Sequence, residues 1–326
     1  MEFTVENRAL GDPIMTTMKA IRIHAFGGPE VLKLEDVPVP QPGDGEVLVR
    51  IGAASVNPID YKIREGKIPS VSRANLPAML GRDFSGTVER VGANVQGVRA
   101  GDAVFALLGH DDRGSYAQFV LSRTSEFATR PKTLDHVHAA AIPLAALTAW
   151  QGLFDQGQLT AGQKVLIQGG AGGVGHMAVQ LAKAKGAWVA ATCSSRDVPF
   201  VRDLGADVVI DYKTQRFEDE VSELDLVYDL IGGDTQARSF AVLKRGGAMV
   251  STLQKPDATK AKAQDIRVAS YQANASAAQL AEIARLIDGG KVRAFVSRTF
   301  KLEDVAEAQA FLEKEHVQGK VVLTVD

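Results

Sequence analysis

Gln168-Gly169-Gly170-Ala171-Gly172-Gly173-Val174-Gly175 is the stretch of this chain whose residue types and spacing point most directly to chemistry. Gly170, Gly172 and Gly175 fit G-x-G-x-x-G. Ahead of them the apolar run Val165-Leu166-Ile167 reads as a strand. Behind them Met177–Lys185 reads as a helix stopped at Gly186. At such a junction the missing side chains let the backbone turn sharply. They also let a pyrophosphate lie against backbone N–H groups at the positive end of a helix dipole. The expected ligand is a dinucleotide, seated on Gly170, Gly172, Gly173, Val174 and Gly175.

The end of the next strand distinguishes the two common nicotinamide dinucleotides. An Asp or Glu there binds the ribose 2′-OH, whereas a basic or hydroxyl-rich loop accepts a 2′-phosphate. Here the strand ends Ala190-Ala191-Thr192-Cys193-Ser194-Ser195-Arg196, and the first acid, Asp197, comes only after the arginine. Ser194 and Ser195 offer hydroxyls, and Arg196 offers a fork of donors matched to phosphate. NADP(H) is therefore expected over NAD(H). A solvated loop with a serine capping the next helix is the alternative reading.

Metal and thiol chemistry find little material. The single cysteine, Cys193, excludes an internal disulfide and any multi-cysteine zinc site. The histidines are scattered at His24, His110, His136, His138, His176 and His316; only His136 and His138 are close, and they read as surface or packing residues. No metal is expected.

The elements that must position these groups fall into two kinds. With 326 residues, 45% hydrophobic and 23% charged, the composition is that of a globular protein of about two domains. From Met18 to about residue 130, short alternating strands are punctuated by glycine and proline turns. Lys19–Ile23, Val31–Val37, Val47–Ile51, Thr87–Val91, Asp102–Ala106 and Ser115–Val120 are examples. From His138 the pattern becomes helical, with a kink expected at Pro143. Strands then alternate with helices: Val165–Gln168, Trp188–Ala191, Val208–Ile210, Leu226–Leu230, Ala248–Thr252 and Ile266–Ala269 are separated by Met177–Lys185, Val198–Leu204, Phe217–Ser222 and Thr235–Leu243. That alternation implies a doubly wound parallel sheet. A helix over Ser276–Asp288 capped by Ser276, a strand over Val292–Phe300, a helix over Leu302–Glu313 and a strand over Lys320–Val325 close the chain. Residues 1–17 are expected to be an extension without chemistry. A net charge of −2 without a basic run speaks against nucleic acid. Nothing approaches a membrane-spanning run or a secretory leader, so cytoplasmic residence and no membrane partner are expected.

Read this far, the chain resembles the medium-chain dehydrogenase/reductase superfamily, and within it the zinc-independent quinone oxidoreductases related to zeta-crystallin. The resemblance runs through Phe26-Gly27-Gly28-Pro29-Glu30-Val31-Leu32, Ala54-Ser55-Val56-Asn57-Pro58-Ile59-Asp60, Gly81-Arg82-Asp83-Phe84-Ser85-Gly86 and Gly101-Asp102-Ala103-Val104. It continues through the glycine turn, Leu204-Gly205-Ala206-Asp207, Ile210-Asp211-Tyr212 and Gly319-Lys320-Val321-Val322-Leu323. It implies an α/β protein with a GroES-like β domain (18–142), a Rossmann cofactor domain (143–272) and a C-terminal segment (273–326) that returns to the first. It also implies NADPH as donor and a homodimer. Carried over by position, Asn57 and Thr148 face the nicotinamide and Gly172 to Val174 hold the pyrophosphate. Ser194, Arg196 and Tyr212 surround the 2′-phosphate, Gly232 and Gly233 pass the nicotinamide ribose, and Lys320 sits near the cofactor.

Zinc-dependent relatives carry G-H-E where this chain has Gly81-Arg82-Asp83, and an arginine does not ligate zinc. Without a Lewis acid, hydride transfer to a quinone or an α,β-unsaturated carbonyl is the expected reaction. Asn57 is the candidate for orienting cofactor or substrate. Tyr61 is a candidate pocket donor, although Asp60-Tyr61-Lys62 also reads as an exposed helix start. An enoyl-thioester reductase and a cofactor-binding protein with little turnover stay open as alternatives. The pocket is expected to draw on Ile59–Arg64, Leu107–Arg113 and Tyr271–Ala275.

Overall fold

The computed structural model describes residues 17–68 and 72–326. The expected N-terminal extension thus lies outside the described residues except for Thr17, which opens the first strand. The N-terminal part forms β1 (Thr17–Ile23), β2 (Leu32–Pro38), β3 (Glu46–Val56), α1 (Pro58–Arg64), β4 (Ala78–Met79), β5 (Asp83–Val91), β6 (Ala103–Leu107), β7 (Phe119–Arg123) and β8 (Phe127–Thr129). Helices α2 (His136–Ala140) and α3 (Pro143–Trp150) follow. Then come β9 (Lys164–Gln168), α4 (Gly173–Ala184), β10 (Trp188–Cys193), α5 (Val198–Asp203), β11 (Val208–Asp211), α6 (Phe217–Glu220), β12 (Leu224–Asp229), α7 (Gly233–Ser239), β13 (Leu243–Ser251), α8 (Ala258–Gln264) and β14 (Arg267–Ser270). The chain closes with α9 (Ala277–Asp288), β15 (Val296–Lys301), α10 (Val305–Lys314) and β16 (Lys320–Thr324).

The middle strands form one parallel sheet in the order β11-β10-β9-β12-β13-β14. The chain winds outward from β9 to one edge, then crosses back to β12 and winds to the other. The crevice beyond the carboxyl ends of β9 and β12 is therefore the switch point at which such sheets bind ligands. Both faces are covered: Val165 and Ile167 enter one apolar cluster with Met177 and Leu181 of α4, and Leu166 enters the opposite one with Val227 and Met249. A strand buried on both faces shows no alternation, which is why these runs are continuously apolar.

The other large sheet is built from both ends of the chain. Its order is β15-β16-β3-β5-β6-β8, with β7 also paired to β3, and β16 lies antiparallel to β3 with Val321 opposite Val56. A smaller sheet, β2-β1-β4, packs beside it. No helix among the described residues is long and apolar enough to cross a membrane.

Several expected elements are corrected. The helix expected from Met177 begins at Gly173, so Gly173 and Gly175 belong to its first turn and Gly172 is its N-cap. Pro143 breaks the expected helix instead of kinking it, because a proline lacks an N–H and is suited to the first helical position. The helix over Phe217–Ser222 stops at Glu220, and the strand over Val292–Phe300 starts only at Val296. Ser276 caps α9 as expected, its hydroxyl accepting from Gln279 N–H at 3.3 Å.

The glycines of the turn do different jobs. The sharp reversal is at Gly169, with φ at 87°, a residue outside the spacing motif. A Cβ on Gly175 would fall 2.0 Å from the Gly169 carbonyl oxygen, so this glycine lets α4 close against the end of β9. A Cβ on Gly172 would come no nearer than 3.7 Å to anything. Gly175→Ala is accordingly expected to cost about 2 kcal/mol or more and to lower Tm by about 4 °C or more, read by calorimetry. Gly172→Ala is expected to leave Tm within about 2 °C, and equal losses for the two would contradict this division.

Candidate active site

Three strand ends meet below the glycine turn. β3 runs into Asn57, β5 starts at Asp83 and β16 starts at Lys320; because β3 is antiparallel to the other two, all three residues come to one edge. Lys320 is only 4% exposed and Asn57 only 2%. The Lys320 ammonium donates to the Asn57 Oδ1 and to the Val56 carbonyl. The Asn57 Nδ2 donates to Asp83 Oδ1 at 2.8 Å, with Ser55 Oγ and the Ser55 carbonyl each at 3.3 Å. An ammonium only donates and a carboxylate only accepts, so the amide has one possible orientation. Ser55 Oγ also donates to Asp83 Oδ1 at 2.7 Å, and Asp83 Oδ2 accepts the Leu144 N–H of the first turn of α3 at 3.0 Å.

Pro58 and Asp60 start α1 directly after Asn57, and Asp60 Oδ2 accepts the Asn57 N–H at 2.8 Å. The same oxygen accepts the Tyr116 hydroxyl at 2.7 Å, while Oδ1 is buried without a partner among the described residues. Burial raises the Asp60 carboxyl to about 6, more than these hydrogen bonds and Lys320 pull it down. Burial likewise lowers Lys320, against the attraction of Asp83 and Asp60.

Above this line the glycine turn and Lys320 are in contact. A Cβ on Gly173 would sit 3.2 Å from Lys320 Cδ, and Gly319 N–H donates to the Ala171 carbonyl at 3.0 Å. The first amide bonded within α4 is that of His176, to Gly172 O at 3.0 Å. The amides of Gly173, Val174 and Gly175 precede it at the positive end of the helix. The His176 Nδ1 donates to the same Gly172 carbonyl, and burial depresses this imidazole to about 4, leaving it neutral.

The tip of β10 is organised differently from the sequence expectation. Asp197 is fully buried, and its carboxylate accepts from Ser194 Oγ at 2.6 Å, from Gln318 Nε2 at 2.7 Å and from His316. Ser194 is therefore turned inward as a brace, whereas Ser195 and Arg196 are exposed. The Arg196 guanidinium leans on the His316 carbonyl at 3.1 Å. Tyr212, 56% exposed, stands at the end of β11 with its N–H on the Cys193 carbonyl.

At the end of β12 the Asp229 carboxylate accepts the N–H groups of Ile231 and Gly232. Gly232 and Gly233 take φ of 77° and 57°. Ile231 and Leu253 flank this turn with about half their surface exposed. Tyr212, Ile231 and Leu253 are thus large apolar groups gathered at the carboxyl ends of three strands, and with the open Gly172 and the free helix amides they suit a flat, partly apolar, anionic ligand. The residues present fit a dinucleotide.

Two candidates fare worse. The Thr148 hydroxyl is turned back onto the Leu144 carbonyl at 2.6 Å, and its own carbonyl is taken by Tyr228 and Tyr271. The Tyr61 phenol is half-buried, and the charges acting on it are Glu313, Glu65 and Lys67, not Lys320 or Asp83. It does not join the central network.

What the sequence reading missed is equally specific. Asp83, Ser55 and Asp60 carry the network. Arg82 donates to the Leu108 carbonyl at 2.8 Å and to His110 Nδ1 at 3.1 Å, and His110 Nε2 reaches the Ala273 carbonyl at 3.3 Å. That contact joins two of the three expected pocket loops. His136 bonds Ser85 Oγ and His138 bonds Asp135, and among the described residues no three metal-ligating side chains converge.

Comparison with known proteins places this architecture. Residues 43–132 match the family described as alcohol dehydrogenase GroES-like domain, and residues 204–323 match the one described as zinc-binding dehydrogenase. The chain belongs to the medium-chain dehydrogenase/reductase superfamily, among its quinone oxidoreductase-like oxidoreductases. It is 34% identical to the mouse NAD(P)H oxidoreductase RTN4IP1, mitochondrial, over 95% of this chain and 90% of that protein. It is 36% identical to the chloroplastic NADPH-dependent alkenal/one oxidoreductase of Arabidopsis thaliana, over 94% and 79% respectively. The quinone oxidoreductase structure from Coxiella burnetii superposes with a TM-score of 0.88 at 37% identity, covering 95% of this chain and 100% of that one.

The raised Asp60 carboxyl yields a test of the network. Between its ordinary 3.8 and about 6 the folded chain holds a proton that the unfolded chain has lost, so this group destabilises the fold as pH rises through that window. Relative to wild type, Asp60→Asn is expected to gain roughly 2–3 kcal/mol between about pH 4 and pH 7 in urea unfolding. A difference independent of pH would contradict the assignment.

Proposed function

We propose that this chain is an NADPH-dependent, zinc-independent reductase that transfers hydride to a quinone or to the alkene of an α,β-unsaturated carbonyl. The observation that carries the reading is Arg82: a permanent cation, tied to His110 and Leu108, stands at the head of β5 where zinc-dependent relatives have a histidine ligand. Relatives named as alkenal/one and quinone oxidoreductases support the same substrate class.

When bound, NADPH would supply a hydride, which carries both electrons of the reduction. The chain supplies the seat. The amides of Gly173, Val174 and Gly175 receive the pyrophosphate, with Gly172 leaving room for it and Gly170 letting the turn close against Ala191. Ser195, Arg196 and Tyr212 receive the 2′-phosphate, with Ser194 and Asp197 holding their loop. Gly232 and Gly233 let the nicotinamide ribose pass. Lys320 directs two of its three N–H donors at Asn57 and Val56 and stiffens the floor under the glycine turn. Both ends of the Asn57 amide are engaged, so Asn57 acts by position, not by bonding substrate. Thr148 contributes a wall of the cleft rather than a hydroxyl.

The reading includes the division of the chain after residues 142 and 272, and a homodimer formed through the cofactor domain. Steady-state loss of NADPH absorbance is expected with both 1,4-benzoquinone and but-3-en-2-one, with NADH a poorer donor. Consumption of NADPH by neither would overturn the proposal. Arg196→Ala is expected to raise the KM for NADPH about 10-fold or more and to leave that for NADH nearly unchanged, as loss of a charge-assisted phosphate contact requires.

A further inference from the structure

We propose that Arg82 is a catalytic residue: its guanidinium takes up the negative charge that develops on the substrate's carbonyl oxygen. The proposal rests on the reductase reading above and names the group that does the work of the absent Lewis acid.

The geometry holds this side chain on two sides and leaves it open on others. Nη2 donates to the Leu108 carbonyl and Nη1 to His110 Nδ1. Arginine only donates, so His110 Nδ1 accepts and its proton sits on Nε2, pointed at the Ala273 carbonyl. The guanidinium is thereby fixed to its own sheet and, through His110, to the loop after β14 on the cofactor-binding side. Of its five N–H groups, these bonds use two. Nε is buried and has no partner among the described residues. The donors left for a ligand are the second N–H on each of Nη1 and Nη2 of this part-exposed side chain, and an unpaired cationic donor is costly unless an acceptor meets it.

The neighbouring carboxylates do not fill that role. Asp83 and Asp60 attract the guanidinium, but no hydrogen bond joins them to it: both Asp83 oxygens are bonded to Ser55, Asn57 and Leu144, and Asp60 Oδ2 to Tyr116 and Asn57, with Oδ1 unpartnered. They stabilise the cation without capping it. His110 is held neutral by its tautomer and pushed further that way by burial and by Arg82 itself.

The step balances with what the reading supplies. The β-carbon of the enone accepts a hydride from NADPH, and the alkene electron pair shifts through the α-carbon onto the carbonyl oxygen. Arg82 holds the resulting enolate oxygen. A proton from solvent then closes the α-carbon, leaving saturated ketone and NADP⁺. Arginine does not give up its own proton, so it stabilises charge and is not the acid.

The test uses the full chain and two readouts. The first is binding of 4-nitrophenol, whose absorbance reports the phenolate, an oxyanion that needs no hydride. Wild type is expected to bind the phenolate, Arg82→Gln to bind it at least about 10-fold more weakly, and Arg82→Lys to retain binding within about 3-fold, since lysine keeps the charge. The second is turnover of but-3-en-2-one. Arg82→Gln is expected to lower kcat about 10²–10³-fold, with the NADPH Kd by fluorescence and Tm unchanged. Phenolate affinity that is equal in wild type and Arg82→Gln overturns the proposal. So does a folded Arg82→Lys that loses phenolate binding as fully as Arg82→Gln, since Arg82 would then only scaffold Leu108 and His110. Wild type that binds phenolate yet oxidises no NADPH with enone or quinone would overturn the reductase reading, leaving the anion site standing.

Discussion

A lysine ammonium buried at the meeting of three strand ends is the constraint on which the rest of the structure depends. Taking Lys320 out of water is costly unless its partners are close and fixed, and removing one partner of such a group leaves an uncompensated buried charge. Those partners, Asn57 and Val56 directly and Asp83 and Asp60 at longer range, all lie in the N-terminal half. The last strand must therefore return to the first sheet after the whole cofactor-binding sheet has been built. Its approach brings Gly319 onto the Ala171 carbonyl and lays the Lys320 stem against Gly173. One buried charge thus ties the β sheet, the chain's end and the glycine turn into a single rigid corner.

The same constraint divides the labour among the polar groups of the cleft. Asn57, Ser55, Asp83 and Asp60 are consumed in satisfying one another and Lys320. They form a floor with nothing left to offer a ligand except the unpartnered Asp60 oxygen. The groups that do have donors to spare lie around that floor: the first amides of α4 and the Arg82 guanidinium. On the proposed reading, substrate charge and cofactor charge are met by groups that remain cationic, or carry a fixed dipole, at every working pH. The titrating members of the cluster act on stability.

The sequence showed the parallel sheet clearly, because its strands are apolar on both faces and each is followed by helix and turn signals. The strand–turn–helix junction was equally plain at Gly172 and Gly175. Gly169 was not, since a motif spacing records which residues are small and not which one takes positive φ. The tip of β10 was legible in type and misread in detail. Ser194 looks like a phosphate ligand until His316 and Gln318, more than a hundred residues later, are seen to complete a buried cluster around Asp197. Tyr61 and Thr148 follow a related rule: their hydroxyl-bearing types suit a pocket, but which way a helix turns each one is decided by tertiary packing. Arg82 was noticed as a missing ligand. Its tie to His110 and Ala273 required the fold.

In the proposed reaction reduction occurs at carbon, with oxygen only holding charge. The most direct measurement is the position of the label after turnover of but-3-en-2-one with NADPH deuterated at the transferable C4 position, read by NMR of the product. Butan-2-one with deuterium on the former alkene terminus, the β-carbon, is expected. Deuterium on the carbonyl carbon of an allylic alcohol would contradict it.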